Sequence, residues 1–339
     1  MRFRILSACA LACVCALAGA ARAAAQDNKA KQTEVKVSGG ERDAAAKIDK
    51  AQGAEAKLQA AAEFVKKYPK SSLRPQIAQK IADEIAGTQD AQLKISLAQT
   101  YLGFFNDPSE AALVNDALLN AYLTSGHTDE AFKMGTERLA KNPEDIDLLR
   151  SLAILASNEA IQNHTTYAAR GQQYGAKAIE LLEADKKPAG VDDAKWASYK
   201  AETLLALYRA TGITAFKTND AATAVARLEK AAALKSTDPG VYLLLSNLNY
   251  DKYEQLAKQY QVMPAGASKE AALKQVEAQM DKTIEAYAQA IAITEGQAQY
   301  QAAHDQIKQD IENLYRYRHN GSTQGLQQLI DKYKRPATQ

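Results

Sequence analysis

Residues 112–145 read ALVNDALLNAYLTSGHTDEAFKMGTERLAKNPED, and this stretch decides the fold. Leu118, Leu119 and Tyr122 recur three and four positions apart, the spacing that puts them on one face of a helix. Gly126 breaks the pattern, a second run carries Ala131, Leu139 and Ala140, and Asn142-Pro143 ends it. The stretch predicts two helices joined by a tight turn.

The same grammar recurs along the chain. From Ala44 the positions Leu58, Ala61, Ala62, Val65 and Tyr68 keep helical rhythm, with Gly53 as an interruption and Tyr68-Pro69 as a stop; Ser72 and Pro75 suit the start of the next helix. Leu149, Leu152, Ala153 and Ala156 predict a first helix within 146–183, and Gly171, Gly175 and Ala178 supply small residues where its second helix crosses a neighbour. Tyr208, Gly212 and Ala215, then Ala224, Leu228 and Ala231, form another pair. Ala215 to Ala224 repeats the separation of Tyr122 from Ala131. Asp107-Pro108, Asn142-Pro143 and Asp238-Pro239 each set a capping side chain before a proline, and Glu110 is placed to complete a capping box with Asp107.

A longer interval follows Asp238-Pro239. Tyr242 and Leu245, then Tyr250, Tyr253, Ala257 and Tyr260, keep helical spacing up to Met263-Pro264-Ala265-Gly266. Leu273, Val276, Met280, Ile284, Tyr287 and Ala290 resume it, so residues 241–293 predict two long helices joined at Pro264 and projecting beyond the repeats. Residues 299–317 and 326–333 give a last pair that would cap the stack.

In residues 112–145, Leu118, Tyr122, Ala131 and Pro143 keep the spacing of the tetratricopeptide repeat, with Asn115 in place of its Trp, Leu119 of its Gly and Gly135 of its bulky residue. Residues 61–86 also resemble repeats of bacterial periplasmic proteins, in which a helix ends in Tyr-Pro before a Ser-rich turn. The resemblance implies an all-α chain, a right-handed superhelix of antiparallel helix pairs over 44–335 with a short tail at 336–339, whose concave groove binds a peptide or partner helix. Groove-facing positions carried over from the matched repeats are Asp116, Asn120, Leu123, Arg150, Arg209, Phe216, Asn247 and Tyr250. Asn120 and Asn247 stand where peptide-binding members hold a ligand's backbone. Asp116 and Leu243 replace the lysine of a carboxylate clamp.

The N-terminus addresses the chain. Arg2 and Arg4 precede an apolar run, 5–20, followed by Ala21-Arg22-Ala23 and Ala24-Ala25-Gln26, the pattern of a secretory signal peptide cleaved after Ala23 or Ala25. Residues 26–43, polar and carrying Gly39-Gly40, read as a flexible linker. Cys9, Cys13 and Cys15 all lie in the leader, so the mature chain would hold no thiol. Leu6-Ser7-Ala8-Cys9 and Ala10-Leu11-Ala12-Cys13 are the alternatives to ordinary cleavage, as sites of lipid attachment. Losing Arg2, Arg4 and Arg22 takes Lys+Arg from 42 to 39 against 40 Asp+Glu, a net of −1, which gives no bulk reason to bind nucleic acid.

Catalytic patterns are absent from the sequence. His127, His164, His304 and His319 fall in separate segments without metal-ligand spacing, and His127 reads as solvated in a turn. The sixteen tyrosines fall mostly on apolar stripes and read as packing, as does Trp196. Asn163-His164-Thr165 and Asn320-Gly321-Ser322 match the glycosylation sequon only formally. The sequence therefore predicts no catalytic residue, cofactor or metal, and an exported, periplasmic scaffold for another envelope protein. An all-helical enzyme acting on cell-wall glycan and a protein binding a small solute between the later hairpins stay open as alternatives.

Overall fold

The computed structural model describes residues 37–334. The predicted signal peptide, its cleavage site, the three cysteines and the 336–339 tail lie outside the described residues. Those residues fold as a succession of helices with no strand among them: α1 (Gly39–Lys50), α2 (Ala54–Lys67), α3 (Arg74–Gly87), α4 (Ala91–Leu102), α5 (Pro108–Ser125), α6 (Thr128–Lys141) and α7 (Ile146–Ile161). They continue as α8 (Ala168–Glu183), α9 (Asp193–Lys217), α10 (Ala221–Ala233), α11 (Pro239–Gln261), α12 (Ala267–Thr294), α13 (Gln301–Arg318) and α14 (Leu326–Tyr333). No helix among them is long and apolar enough to cross a membrane.

Substantial packing runs only between a helix and those one or two places away in the chain. Thus α7 meets α8 and α9, α8 meets α9, and the pattern repeats for α3, α4 and α5. That is the contact pattern of a stacked helical repeat, in which no hairpin covers its apolar face alone. The decisive stretch is the α5–α6 hairpin, with Leu118, Tyr122 and Ala131 all buried. Gly126 takes φ +78° at the turn, a conformation that glycine adopts without a Cβ clash. Gly135 stands where the repeat family has a bulky residue because Leu152 of α7 fills that space: a Cβ there would lie 2.8 Å from Leu152 Cδ1.

Several expectations need correction. Residues 39–43, expected in the linker, form the first turn of α1, since Ser38 and Glu41 close a reciprocal capping box (Ser38 N to Glu41 Oε2, 2.7 Å; Glu41 N to Ser38 Oγ, 3.2 Å). Asn142-Pro143 does not open a helix. Asn142 ends α6, and Asp145 caps α7 by accepting from Leu148 N at 3.1 Å. Asp107 occupies the N-cap of α5 without a side-chain capping bond, and Glu110 forms no box with it. The Glu110 carboxylate is buried, turned to Arg74 of α3 at 2.7 and 2.8 Å. Asp238-Pro239 behaves as expected, with Asp238 accepting from Gly240 N at 2.8 Å.

The long hairpin is present, α11 and α12 turning at residues 262–266. Its outer half, residues 251–275, has no buried residue, although Tyr253 near its base still packs against the core. The root is different. Gln279 Nε2 donates to the Asn249 carbonyl at 3.1 Å and to Asn249 Oδ1 at 2.9 Å, while Thr283 Oγ1 donates to the same carbonyl at 3.1 Å and Asn249 Nδ2 donates to the Leu245 carbonyl at 2.8 Å. All three side chains are buried, so the network pins the register of the two helices. Gln279→Leu leaves Asn249 Oδ1 without that donor. The substitution should lower stability by about 1–3 kcal/mol, read by urea denaturation, with hydrogen exchange rising first along α11 and α12.

Candidate functional site

The eight expected groove residues are not joined to one another by any hydrogen bond, ion pair or ring contact among the described residues. Asp116 is paired with Arg138 of α6. Arg150 is paired with Asp147 at 3.2 Å and donates to Thr203 of α9 at 3.4 Å, and Arg209 is paired with Asp238. Leu123 and Phe216 are half-buried against the core. Tyr250 packs on Tyr253 and Tyr287, with centroids 6.1 and 6.2 Å away. Asn120 and Asn247 are exposed. Asp116 and Arg209 therefore tie helices together through ion pairs, and Arg150 reaches α9 through a hydrogen bond, roles that exposure-blind register matching does not see.

The aromatic residues mostly pack, as expected. Among the tyrosines only Tyr317 is largely exposed, at 77%. Burial and the Glu183 carboxylate push the Tyr208 hydroxyl up to about 12, and burial with Asp147 does the same for Tyr199. Trp196 stacks on Tyr199 at 6.0 Å in the first turn of α9. His127 is half-buried with its Nδ1 2.8 Å from Ser125 Oγ, not simply solvated. No group of three or more His, Cys, Asp or Glu among the described residues is arranged to hold a metal ion.

A large opening lies elsewhere, between the α9–α10 hairpin, the α11–α12 hairpin and α14. It is a cleft of about 1020 Å3, and none of the eight residues lines it. One wall is the last turn of α10 with Glu229, Ala232, Ala233 and then Lys235; the floor is Tyr242, Leu245 and Asn249 of α11. The facing wall is α12 with Lys282, Glu285, Ala286, Gln289 and Ile293, and α14 closes one end with Lys332, Tyr333 and Lys334. Local sequence produces this shape: α10 is short, stopped by a turn at 234–238, whereas α11 and α12 run on past it and leave the space beside them uncovered.

The cleft combines an apolar floor with a charged rim. Tyr242 is held by its hydroxyl donating to the Ser236 carbonyl at 3.0 Å, and Asn249 is fixed by the root network, so the floor is rigid. Lys332 lies 3.7 Å from Glu285, and Lys334 lies 2.9 Å from Glu295 and 3.1 Å from Asp331. Lys282 is exposed and makes no ion pair among the described residues. No feature of any single sequence window announces this site, because its walls come from four helices spread over residues 229–334.

Comparison with known proteins adds little. No protein-family model matches the chain, and no curated protein matches it. Among solved structures, the chain is similar to a monomeric mutant of IFIT1 with m7Gppp-AAAA, at 14% identity and a TM-score of 0.32 over 84% of this chain and 56% of that one. The chain spans little more than half the length of that protein, and a score so low bears on neither family nor function.

Proposed function

We propose that this chain is an exported, non-catalytic binding scaffold of the tetratricopeptide kind, which takes a segment of another envelope protein into its stack. The observation that carries the reading is the cleft of about 1020 Å3 between α10 and the α11–α12 pair, with a rigid apolar floor and a polar rim. Such a combination suits a side chain that buries itself while its neighbours stay solvated. The signal-like residues 1–25 and the repeat spacing of Leu118, Tyr122, Ala131 and Pro143 support the exported setting, with the periplasm as destination. The long hairpin offers a second contact surface at its tip, where Val262 is 84% exposed.

A photoreactive residue placed in turn at Gln289, Asn247 and Ala265 of the full chain in intact cells tests this. The expected result is one envelope protein captured reproducibly from Gln289. Capture from Asn247 or Ala265 alone would move the contact to the first-helix face or to the hairpin tip. Absence of any captured protein at all three positions would overturn the scaffold. A second reading, a small-solute binder, draws on the same cleft, since its volume sits at the top of the roughly 300–1,000 Å3 range of small-molecule sites. That reading gains if the purified chain carries a solute released only on unfolding.

A further inference from the structure

Three tyrosines of this chain share one arrangement, a hydroxyl on a carboxylate and a cation over the ring. Tyr167 donates to Asp129 at 2.6 Å with Arg170 5.9 Å from its ring centre, Tyr208 donates to Glu183 at 2.5 Å with Arg227 at 5.8 Å, and Tyr333 donates to Glu285 with Lys332 at 4.7 Å. A cation that faces a ring beside a carboxylate is attracted by both. A fourth group has the rings and the carboxylates, with no cation over any ring among the described residues. Tyr250 of α11 packs on Tyr253 and on Tyr287 of α12, with centroids 6.1 and 6.2 Å away, and α13, which packs on α12, brings up Asp310 and the exposed Tyr317. Burial, then Asp310, Tyr250, Asp251 and Glu254, hold the Tyr287 hydroxyl far above its ordinary range; burial, then Tyr317 and Glu254, raise that of Tyr253.

Most of the charge here is unspent. Half-buried Asp310 accepts from Gln306 at 3.2 Å and, like Asp251, forms no ion pair among the described residues; Glu254 alone is paired, with Lys258 at 3.2 Å. Of the other basic groups on these helices, Arg318 is forked to Asp281 at 2.9 and 3.2 Å, Lys282 lines the cleft, and Lys269 lies over Tyr260. Lys252, Lys274, Lys308 and Arg316 are exposed and pair with neither Asp251 nor Asp310. The Tyr287 side chain is only 3% exposed, yet its hydroxyl makes no hydrogen bond among the described residues. A buried phenol turned to carboxylates suits a donor that brings positive charge. The carboxylates are not gathered as a metal ion requires, so the cation that fits is organic. We infer that this face of α11, α12 and α13 binds a primary ammonium group, which donates to the Tyr287 hydroxyl and the Asp310 carboxylate while the Tyr250 and Tyr253 rings face its charge. None of these residues lines the cleft, so the site goes beyond the reading above and stands or falls apart from it.

Calorimetric titration of the purified chain with cadaverine and with Nα-acetyl-lysine methylamide tests this. The controls are Nα-acetyl-norleucine methylamide, which lacks the charge, and tetramethylammonium, which lacks the N–H donors. Both amines should bind at least about tenfold more tightly than either control, with an affinity that falls as salt rises. Tyr287→Phe, which keeps the ring, should weaken binding about three- to tenfold, and Asp310→Asn about tenfold, each with Tm within about 2 °C of the parent. Asp305→Asn makes the same charge change elsewhere on α13 and should leave binding unaltered. Tighter binding of cadaverine marks a free diamine as the ligand, tighter binding of the lysine derivative a partner's lysine, and either result upholds the site. Equal binding of either control, no heat from either amine up to about 10 mM, or unaltered binding in Tyr287→Phe or Asp310→Asn overturns the inference. So does an equal loss in Asp305→Asn and Asp310→Asn, which would assign the effect to overall charge.

Discussion

Glu110→Ala should destabilise the chain by about 3–5 kcal/mol, since it strands a charged partner inside the fold. Arg74 and Glu110 form a forked pair with side-chain exposures of only 14% and 8%. Arg74 also donates to the Phe104 carbonyl at 2.8 Å and sits 5.3 Å from the Phe105 ring centre. The bond to Glu110 is the main reason the Arg74 pKa is raised, and because a guanidinium is ordinarily charged at any pH near neutral, Arg74 stays charged even when that partner is gone. Tyr101 lies in the same pocket, donating to the Glu110 carbonyl at 3.1 Å, and burial holds its hydroxyl far above its ordinary range. Because packing runs between neighbours, the loss should be local. Hydrogen exchange should rise in α1 to α5 and stay unchanged in α9 to α12. Arg74→Met combined with Glu110→Leu removes both charges and should recover most of the stability. A loss below about 1 kcal/mol in Glu110→Ala would show that the pair is hydrated, as surface pairs are.

That pair also marks the boundary of what the sequence discloses. Helix pairing was readable because each hairpin carries its own local signal, as in Gly171, Gly175 and Ala178 of α8 or Ala224, Leu228 and Ala231 of α10, all of which are buried. Glu110 was assigned to a cap by its distance from Asp107. Yet it shares a stripe with Val114 and Leu118, four and eight residues on, and a carboxylate on a buried stripe signals a cation from another hairpin. The start of α1 was likewise legible, in Ser38-Gly-Gly-Glu41, but two glycines weigh against a helix in any propensity sum. The cleft was not legible. Its charge and floor come from elements a hundred residues apart.

Gly171→Ala should lose about 2 kcal/mol or more, although alanine is the better helix former by about 1 kcal/mol. A Cβ at Gly171 would stand 2.2 Å from Ala156 Cβ of α7, and one at Gly175, a turn later, 2.4 Å from Thr211 Cγ2 of α9. The two glycines are what let α8 lie against both neighbours at once. The obstruction at Gly171 is a methyl attached directly to helix backbone, so it cannot swing aside. Gly171→Val should accordingly lose more, about 3–4 kcal/mol, with Tm falling in step. Two further variants separate close approach from any general intolerance of side chains. Gly171→Ala with Ala156→Gly moves the methyl to the other helix and should restore much of the loss. Gly87→Ala in α3, where nothing lies within 4 Å of the added carbon, should be neutral or mildly stabilising. If Gly171→Ala alone proves neutral, α7 and α8 can part by the needed fraction of an ångström. The stack would then be compliant at its centre, and the placing of α10 relative to α12, on which the cleft depends, would owe its definition to the α9–α10, α10–α11 and α11–α12 contacts.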